Sequence, residues 1–405
     1  MKRKVSIVLL ALIMVFTSFS FSHAQGISNE ENISSFLVAN AGTGEIYYSK
    51  DEDKVYGVAS MSKLMTYLIV REELDEGLYK NTDKVEITQE AARLAIPGYS
   101  KMDLVVGEQV SIQDLLDGLI VVSGNDAAVA LAINSSGSDS AFAEKMNLKA
   151  KELGLTNSQF VNSSGLTEYV DENGKDVVKY NTMSANDLFL LAKEIINKYP
   201  EISKYSEIEQ LIQPQRNFIG EHTHSLFKNI PSLRGLKSGF TEEAGYNFTG
   251  YVDMSAQIPG QNFKLITIVI GANTVKIRRD ATQELITYVS DRYEFKDMAG
   301  FDKQLPVTDF ISTHTRNKNI PLYVEKPLEG VFAKNLTPSL SYVLDEEAKA
   351  PFEDGQVLGE LTVKVEGKEI GKVNLINKGY KPRLSFSALI FEYLKDFVKS
   401  LMLIF

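Results

Sequence analysis

The sequence predicts an α+β protein: an antiparallel sheet covered by helices, then a small all-β region and an amphipathic C-terminal helix. Three observations carry this expectation. Strand-like stretches stand near both ends of residues 27–296 and helical stretches fill the middle, the pattern of one sheet built from early and late strands. Residues 298–384 read as short strands and turns with no long helix. Residues 385–405 repeat apolar side chains at helical spacing. For 405 residues, at about 100–200 per domain, two domains are the natural expectation.

The elements follow in chain order. "SSFLVANAGTGEIYYSKD" reads as two strands around a Gly-containing turn. "VASMSKLMTYLIV" opens a helix expected over 60–76. "SIQDLLDGLIVV" from Ser111 and "DAAVALAINSS" from Asp126 are helical. "SAFAEKMNLKAKELGL" from Ser140 stops at Gly154, as a C-cap does, and "SANDLFLLAKEIINKY" begins at a capping Ser184. "YNFTGYVDMS" and "NFKLITIVIGA" are β-rich around a Pro259-Gly260 turn. "RRDATQELITYVSDRYEF" returns to helix, and "IPLYVEK", "SLSYVLD" and "VLGELTVKVEGKEIGKVNLINKG" supply the later strands.

Both ends carry targeting signals. Lys2, Arg3 and Lys4 precede the apolar run "VSIVLLALIMVF", and "SHA" places small residues at a cleavage site near Ala24. Residues 1–24 therefore read as a secretory signal, with an uncleaved anchor as the alternative; either puts the working protein outside the cytoplasm. In the tail, Glu392, Lys395, Asp396 and Lys399 share one helical face, while Ile390, Phe391, Leu394, Phe397, Val398 and Leu401 cover most of the rest. A spanning helix would bury four charges at roughly 2.5–3.5 kcal/mol each. An interfacial membrane anchor over 385–405 is expected instead, against the alternative of a helix packed on its own domain.

Composition excludes several classes. There is no cysteine, hence no disulfide, thiol chemistry or Cys-type zinc site. A formal charge of −10 disfavours nucleic acid and anionic lipid as partners, so membrane attachment has to be apolar. Histidines are few, and no G-x-S-x-G elbow supports a Ser-His-Asp hydrolase. His222-Thr223-His224 lacks the Cys or acidic partners that complete a metal site and reads as surface loop. No metal or cofactor is expected.

The candidate chemistry starts at Ser60 and Lys63. Residues i and i+3 of a helix lie on one face about 5–6 Å apart. A serine hydroxyl needs a base, and a lysine serves if burial or a neighbouring cation lowers its pKa. Alone, S-x-x-K is weak: Ser225 and Lys228 repeat it. Two further stretches add weight: Ser123-Gly124-Asn125 between helical segments, and Lys237-Ser238-Gly239 before the late strands. A second S-x-N at Ser184 to Asn186 reads as a helix cap.

S-x-x-K, S-x-N and K-[ST]-G, in this order, form the signature of penicillin-recognising serine enzymes. With "ASMSKLMT", "SGNDAAVALA", "GLTNSQFVNSSGL", "GLKSGFTEEAGYN" and "GANTVKIRRDA", the sequence resembles the low-molecular-mass penicillin-binding proteins of the serine-type D-alanyl-D-alanine carboxypeptidase family. The resemblance covers 27–296 well; 298–384 and 385–405 resemble the family's stalk and anchor in position and pattern. It implies a penicillin-binding/β-lactamase-like transpeptidase domain, and removal of the terminal D-alanine from the peptidoglycan stem peptide at the outer face of a bacterial membrane. It also implies inhibition by β-lactams. Ser60 would be the nucleophile, Lys63 its base and Ser123 a proton relay. Asn125 would hold the substrate amide. Lys237, Ser238 and Arg278 would receive the carboxylate, with Gly239 completing the third motif, and the backbone N–H groups of Ser60 and Phe240 would form the oxyanion hole.

Ser238 replaces the commoner threonine, Phe240 a polar residue of some members, His222 and His224 frequent asparagines, and Arg234 stands near a usual acidic position. A class A β-lactamase shares the three motifs, but "TNSQFVNSSGLTEYV" lacks the E-x-x-L-N pattern of its deacylating glutamate. An inactive wall-binding scaffold is the non-enzymatic alternative; intact Ser60, Lys63, Ser123 and Lys237 argue against it.

Overall fold

The computed structural model describes residues 26–402 except 172–174, 224–229, 231, 256–257, 259–262, 302–303, 312–314, 316–318 and 346–347. The expected signal at 1–24, and His224, Ser225 and Lys228, lie outside the described residues.

The early hairpin forms β1 (Ser35–Asn40) and β2 (Ile46–Lys50). The late strands are β3 (Leu233–Thr241), β4 (Gly245–Asp253) and β5 (Lys264–Ala272). All five join in one antiparallel sheet of order β3-β4-β5-β1-β2, so early and late strands meet at β1–β5 with Val38 opposite Thr267. Side chains alternate between faces of a strand. Leu37 and Ala39 therefore enter one apolar cluster and Phe36 and Val38 another, on the opposite face. Burial on both faces explains why "KLITIVIGA" runs apolar without alternating.

The larger cluster holds helices α1 (Lys63–Asp75), α2 (Ile112–Ile120), α3 (Asn125–Ser136), α4 (Asp139–Glu152) and α5 (Ala185–Lys198). Residues 63–70 of α1 are buried all round, as befits a central helix. Ser111, Ser138 and Ser184 cap α2, α4 and α5, each Oγ accepting a backbone N–H three residues on. Ser184 is thus a helix cap. On the other face, α6 (Val275–Arg292) packs Ala281, Leu285, Ile286 and Val289.

Two expectations change here. The first turn of the "SMSK" helix is a 3-10 turn, Ala59–Ser62, and the α-helix begins at Lys63. The helix expected through Phe295 ends at Arg292. Tyr293–Asp297 is instead a strand, β6, because the later β region offers it a partner.

That region contains β7 (Gln304–Ile311), β8 (Asn319–Val324), β9 (Glu329–Ala333), β10 (Ser339–Leu344), β11 (Val357–Val365) and β12 (Lys368–Asn377). β9 pairs with β6; the others form a sheet of order β7-β8-β12-β11-β10 over a core including Phe310, Leu322, Phe352, Leu361 and Leu375. The chain continues as α7 (Phe386–Met402). Among the described residues, no helix is long and apolar enough to cross a membrane.

Candidate active site

Ser60 is presented by a strained turn. Ala59 before it has φ +46°, a left-handed value costly for an L-residue, and Ser62 Oγ ties the turn by donating to Ala59 O at 2.7 Å. Two glycines let the backbone close around it. A Cβ on Gly165 would lie 2.0 Å from Ala59 O, and one on Gly239 would lie 3.0 Å from Ser60 N. β3 and the 162–166 segment thus press directly on the Ser60 turn, which no larger residue at either position allows.

One turn on, Lys63 is fully buried. Its Nζ lies 3.0 Å from Ser60 Oγ, 2.7 Å from Asn125 Oδ1 and 2.6 Å from Ser164 O. Burial, then the neighbouring Lys237 charge, pushes its pKa well below the usual lysine range, against a weaker opposing pull from Asp126 and Asp139. Asn125 arrives because α3 begins there. The junction from α2 turns through Ser123, itself at φ +61°, and Gly124 N donates to Gly118 O. Asp126 pins this junction to the 99–104 segment by accepting from the backbone N–H groups of Met102 and Leu104.

The third side of the site is β3. Lys237 is fully buried, its Nζ donating to Ser238 O at 2.9 Å, and burial with the Arg278 charge lowers its pKa to about 7. Arg278 reaches over from α6. Its guanidinium donates to Asn247 O at 3.3 Å and lies 5.8 Å from the Tyr246 ring; burial lowers its pKa to about 10, so it stays charged at neutral pH. Phe240, half exposed, stacks on Tyr246 with ring centroids 4.2 Å apart.

These elements enclose a cleft of about 670 Å³ lined by Ser60, Ser123, Asn125, Ser238, Gly239, Phe240 and Arg278 among others. The structure thus brings all nine candidate residues to one place: seven on the cleft surface, with Lys63 and Lys237 fully buried and the charge of Lys237 acting to lower the Lys63 pKa. His222 differs from its expected surface loop. It is 5% exposed, its N–H donating to Glu209 O, while Thr223 reaches the cleft wall and donates to Val121 O. Among the described residues, no group of three His, Asp or Glu side chains is arranged to hold a metal ion.

Sequence reasoning passed over three contributors. Ser164 acts through its backbone carbonyl, which no side-chain pattern announces. Its segment is held by Asn162, whose Oδ1 accepts from Gly165 N, and by Asn181, whose Oδ1 accepts from Val161 N. The string "FVNSSGL" carries that information only as a resemblance. Tyr246 and Glu243 stand in "TEEAGYN", where an aromatic and a charge beside the third motif were the available signal.

Known proteins resemble the chain over most of its length. The D-alanyl-D-alanine carboxypeptidase family matches residues 22–274, and the C-terminal domain of penicillin-binding protein 5 matches 314–380. D-alanyl-D-alanine carboxypeptidase DacF of Bacillus subtilis is 30% identical over 409 residues, spanning 98% of this chain and 100% of that protein. DacA of Escherichia coli is 29% identical, spanning 89% and 86%. The crystal structure of penicillin binding protein 5 from Haemophilus influenzae superposes with a TM-score of 0.62 at 27% identity, covering 87% of this chain and 98% of that one. A penicillin-binding protein from Listeria monocytogenes in its cefotaxime-bound form gives 0.54 at 30% identity, covering 64% and 96%. The chain belongs to the D-alanyl-D-alanine carboxypeptidase family, among the low-molecular-mass penicillin-binding proteins.

Proposed function

We propose that this protein is a serine-type D-alanyl-D-alanine carboxypeptidase acting on peptidoglycan stem peptides through an acyl-Ser60 intermediate. The observation that carries the mechanism is the set of three contacts at Lys63 Nζ. A neutral amine has two N–H bonds and one lone pair. Asn125 Oδ1 and Ser164 O take the two N–H bonds, which leaves the lone pair for the Ser60 hydroxyl. Its depressed pKa supports the neutral form.

Ser60 Oγ bonds to the carbonyl carbon between the two D-alanines as its proton passes to Lys63 Nζ. Negative charge then builds on the carbonyl oxygen, and the Ser60 and Phe240 N–H groups are the donors assigned to it. Collapse breaks the C–N bond; Ser123 relays the proton from Lys63 to the departing amine. Lys237, Ser238 and Arg278 receive the substrate carboxylate, whose charge restores the positive form of Lys237. Asn125 holds the substrate amide, and Gly239 keeps β3 close to Ser60. Water hydrolyses the ester and frees Ser60. β-Lactams would acylate the same oxygen. The β-lactamase alternative has less support: Glu168 accepts a hydrogen bond from Asn162 Nδ2, outside any E-x-x-L-N pattern.

The assignment of 1–24 as an export signal, 27–296 as the catalytic domain, 298–384 as a stalk and 385–405 as a peripheral anchor belongs to the same reading. On α7, Phe386, Phe391, Tyr393, Leu394 and Phe397 are all more than half exposed, which supports an apolar face kept for a bilayer interface. The test of the activity is product analysis on a defined muropeptide ending in D-Ala-D-Ala. One D-alanine released per peptide is expected from the wild type and none from Ser60→Ala; release by Ser60→Ala contradicts the mechanism.

A further inference from the structure

A second polar bridge spans the cleft away from Lys63. Glu243 sits on the turn after β3, and each of its carboxylate oxygens accepts one hydrogen bond from the opposite wall. Thr167 Oγ1 donates to Oε2 and the Tyr169 hydroxyl to Oε1, both at 2.7 Å. All three residues line the same cleft as Ser60. The bridge joins the two segments whose separation matters for acylation. One carries Ser164, whose carbonyl holds Lys63, three residues before Thr167. The other carries Gly239 and Phe240, where β3 meets the Ser60 turn. We propose that Glu243 is a positioning residue for acylation, clasping the 164–169 segment to the end of β3 so that base, nucleophile and oxyanion donors keep their spacing. The inference rests on the acyl-Ser60 reading above.

The two bonds hold the Glu243 carboxyl down at about 2. The carboxyl is therefore ionised at neutral pH, with one oxygen available to accept each of the two bonds. Glu243 is exposed, so its removal leaves no buried cavity or orphaned core group. Geometry is what it can supply, and a misplacement of about 1 Å costs up to about a hundredfold in rate.

The test is the second-order rate of labelling by a fluorescent penicillin, with melting temperature measured alongside. Glu243→Ala should lower the rate about tenfold with the melting temperature unchanged. Thr167→Val combined with Tyr169→Phe should match that loss, and adding Glu243→Ala should deepen it no further. Glu243→Gln, which keeps an acceptor oxygen, should recover most of the rate. Labelling of Glu243→Ala within twofold of wild type, additive losses in the triple variant, or a Glu243→Gln as slow as Glu243→Ala would each overturn the clasp. A wild-type protein that takes no label at Ser60 would instead overturn the acyl-enzyme reading itself.

Discussion

Helix α1 buries a lysine among apolar side chains, whereas α7 holds phenylalanines out to solvent. In α1, Lys63 is fully buried, and so are Leu64 and Met65 that follow it. In α7, Phe386 is 80% and Phe391 68% exposed. Both break the ordinary partition of side chains, in opposite senses. A buried amine is costly when charged, so it gives up its proton and gains a chemical use. An exposed apolar face is costly in water and gains its use at another surface. In this chain, each departure falls where the proposed work is done.

The comparison breaks most severely at α1. Lys63→Met should lower both penicillin acylation and D-alanine release by about a hundred- to ten-thousandfold, the range for a general base. Thermal denaturation should show only a modest loss, about 1–3 kcal/mol, as the buried Asn125 Oδ1 and Ser164 O lose a donor. Equal loss of folding and activity would make Lys63 structural.

A smaller effect belongs to Lys237. Its folded-state pKa of about 7 lies below the ordinary 10.5, so between those values the unfolded chain holds a proton that the native one lacks. Stability then rises with pH across that window. Lys237→Met should remove this increment in denaturant titrations at pH 7 and pH 10, and should raise KM more than it lowers kcat. An unchanged pH slope would mean that Lys237 is charged in the free enzyme.

The smallest effect on catalysis is expected at α7. Deleting 385–405 should leave kcat/KM within about twofold while abolishing cosedimentation with zwitterionic vesicles. Persistent cosedimentation would place the attachment elsewhere.

Much of this was legible in the sequence, for definable reasons. Period announced α2 and α4, and period with a cap at Ser184 announced α5, because local chemistry alone decides these starts; α4, expected from Ser140, begins at Asp139 behind a Ser138 cap. The three motifs announced the site because their side chains do the reaching. What stayed hidden depended on distant partners. Tyr293–Asp297 became a strand only because Glu329–Ala333 lies beside it. His222 is buried by packing that a histidine in a polar stretch does not signal. Ser164 contributes a carbonyl and Glu243 a bridge across the cleft, and neither is a local property.

The neutral, buried state of Lys63 is the claim on which the mechanism turns, and it can be read directly. Lysine side chains labelled with 13C at Cε, with Lys63→Met used to assign the resonance, report each pKa in an NMR titration of the free enzyme. Lys63 should titrate well below the ordinary value of 10.5. A Lys63 resonance that titrates at or above that value would contradict the role of this lysine as the base for Ser60.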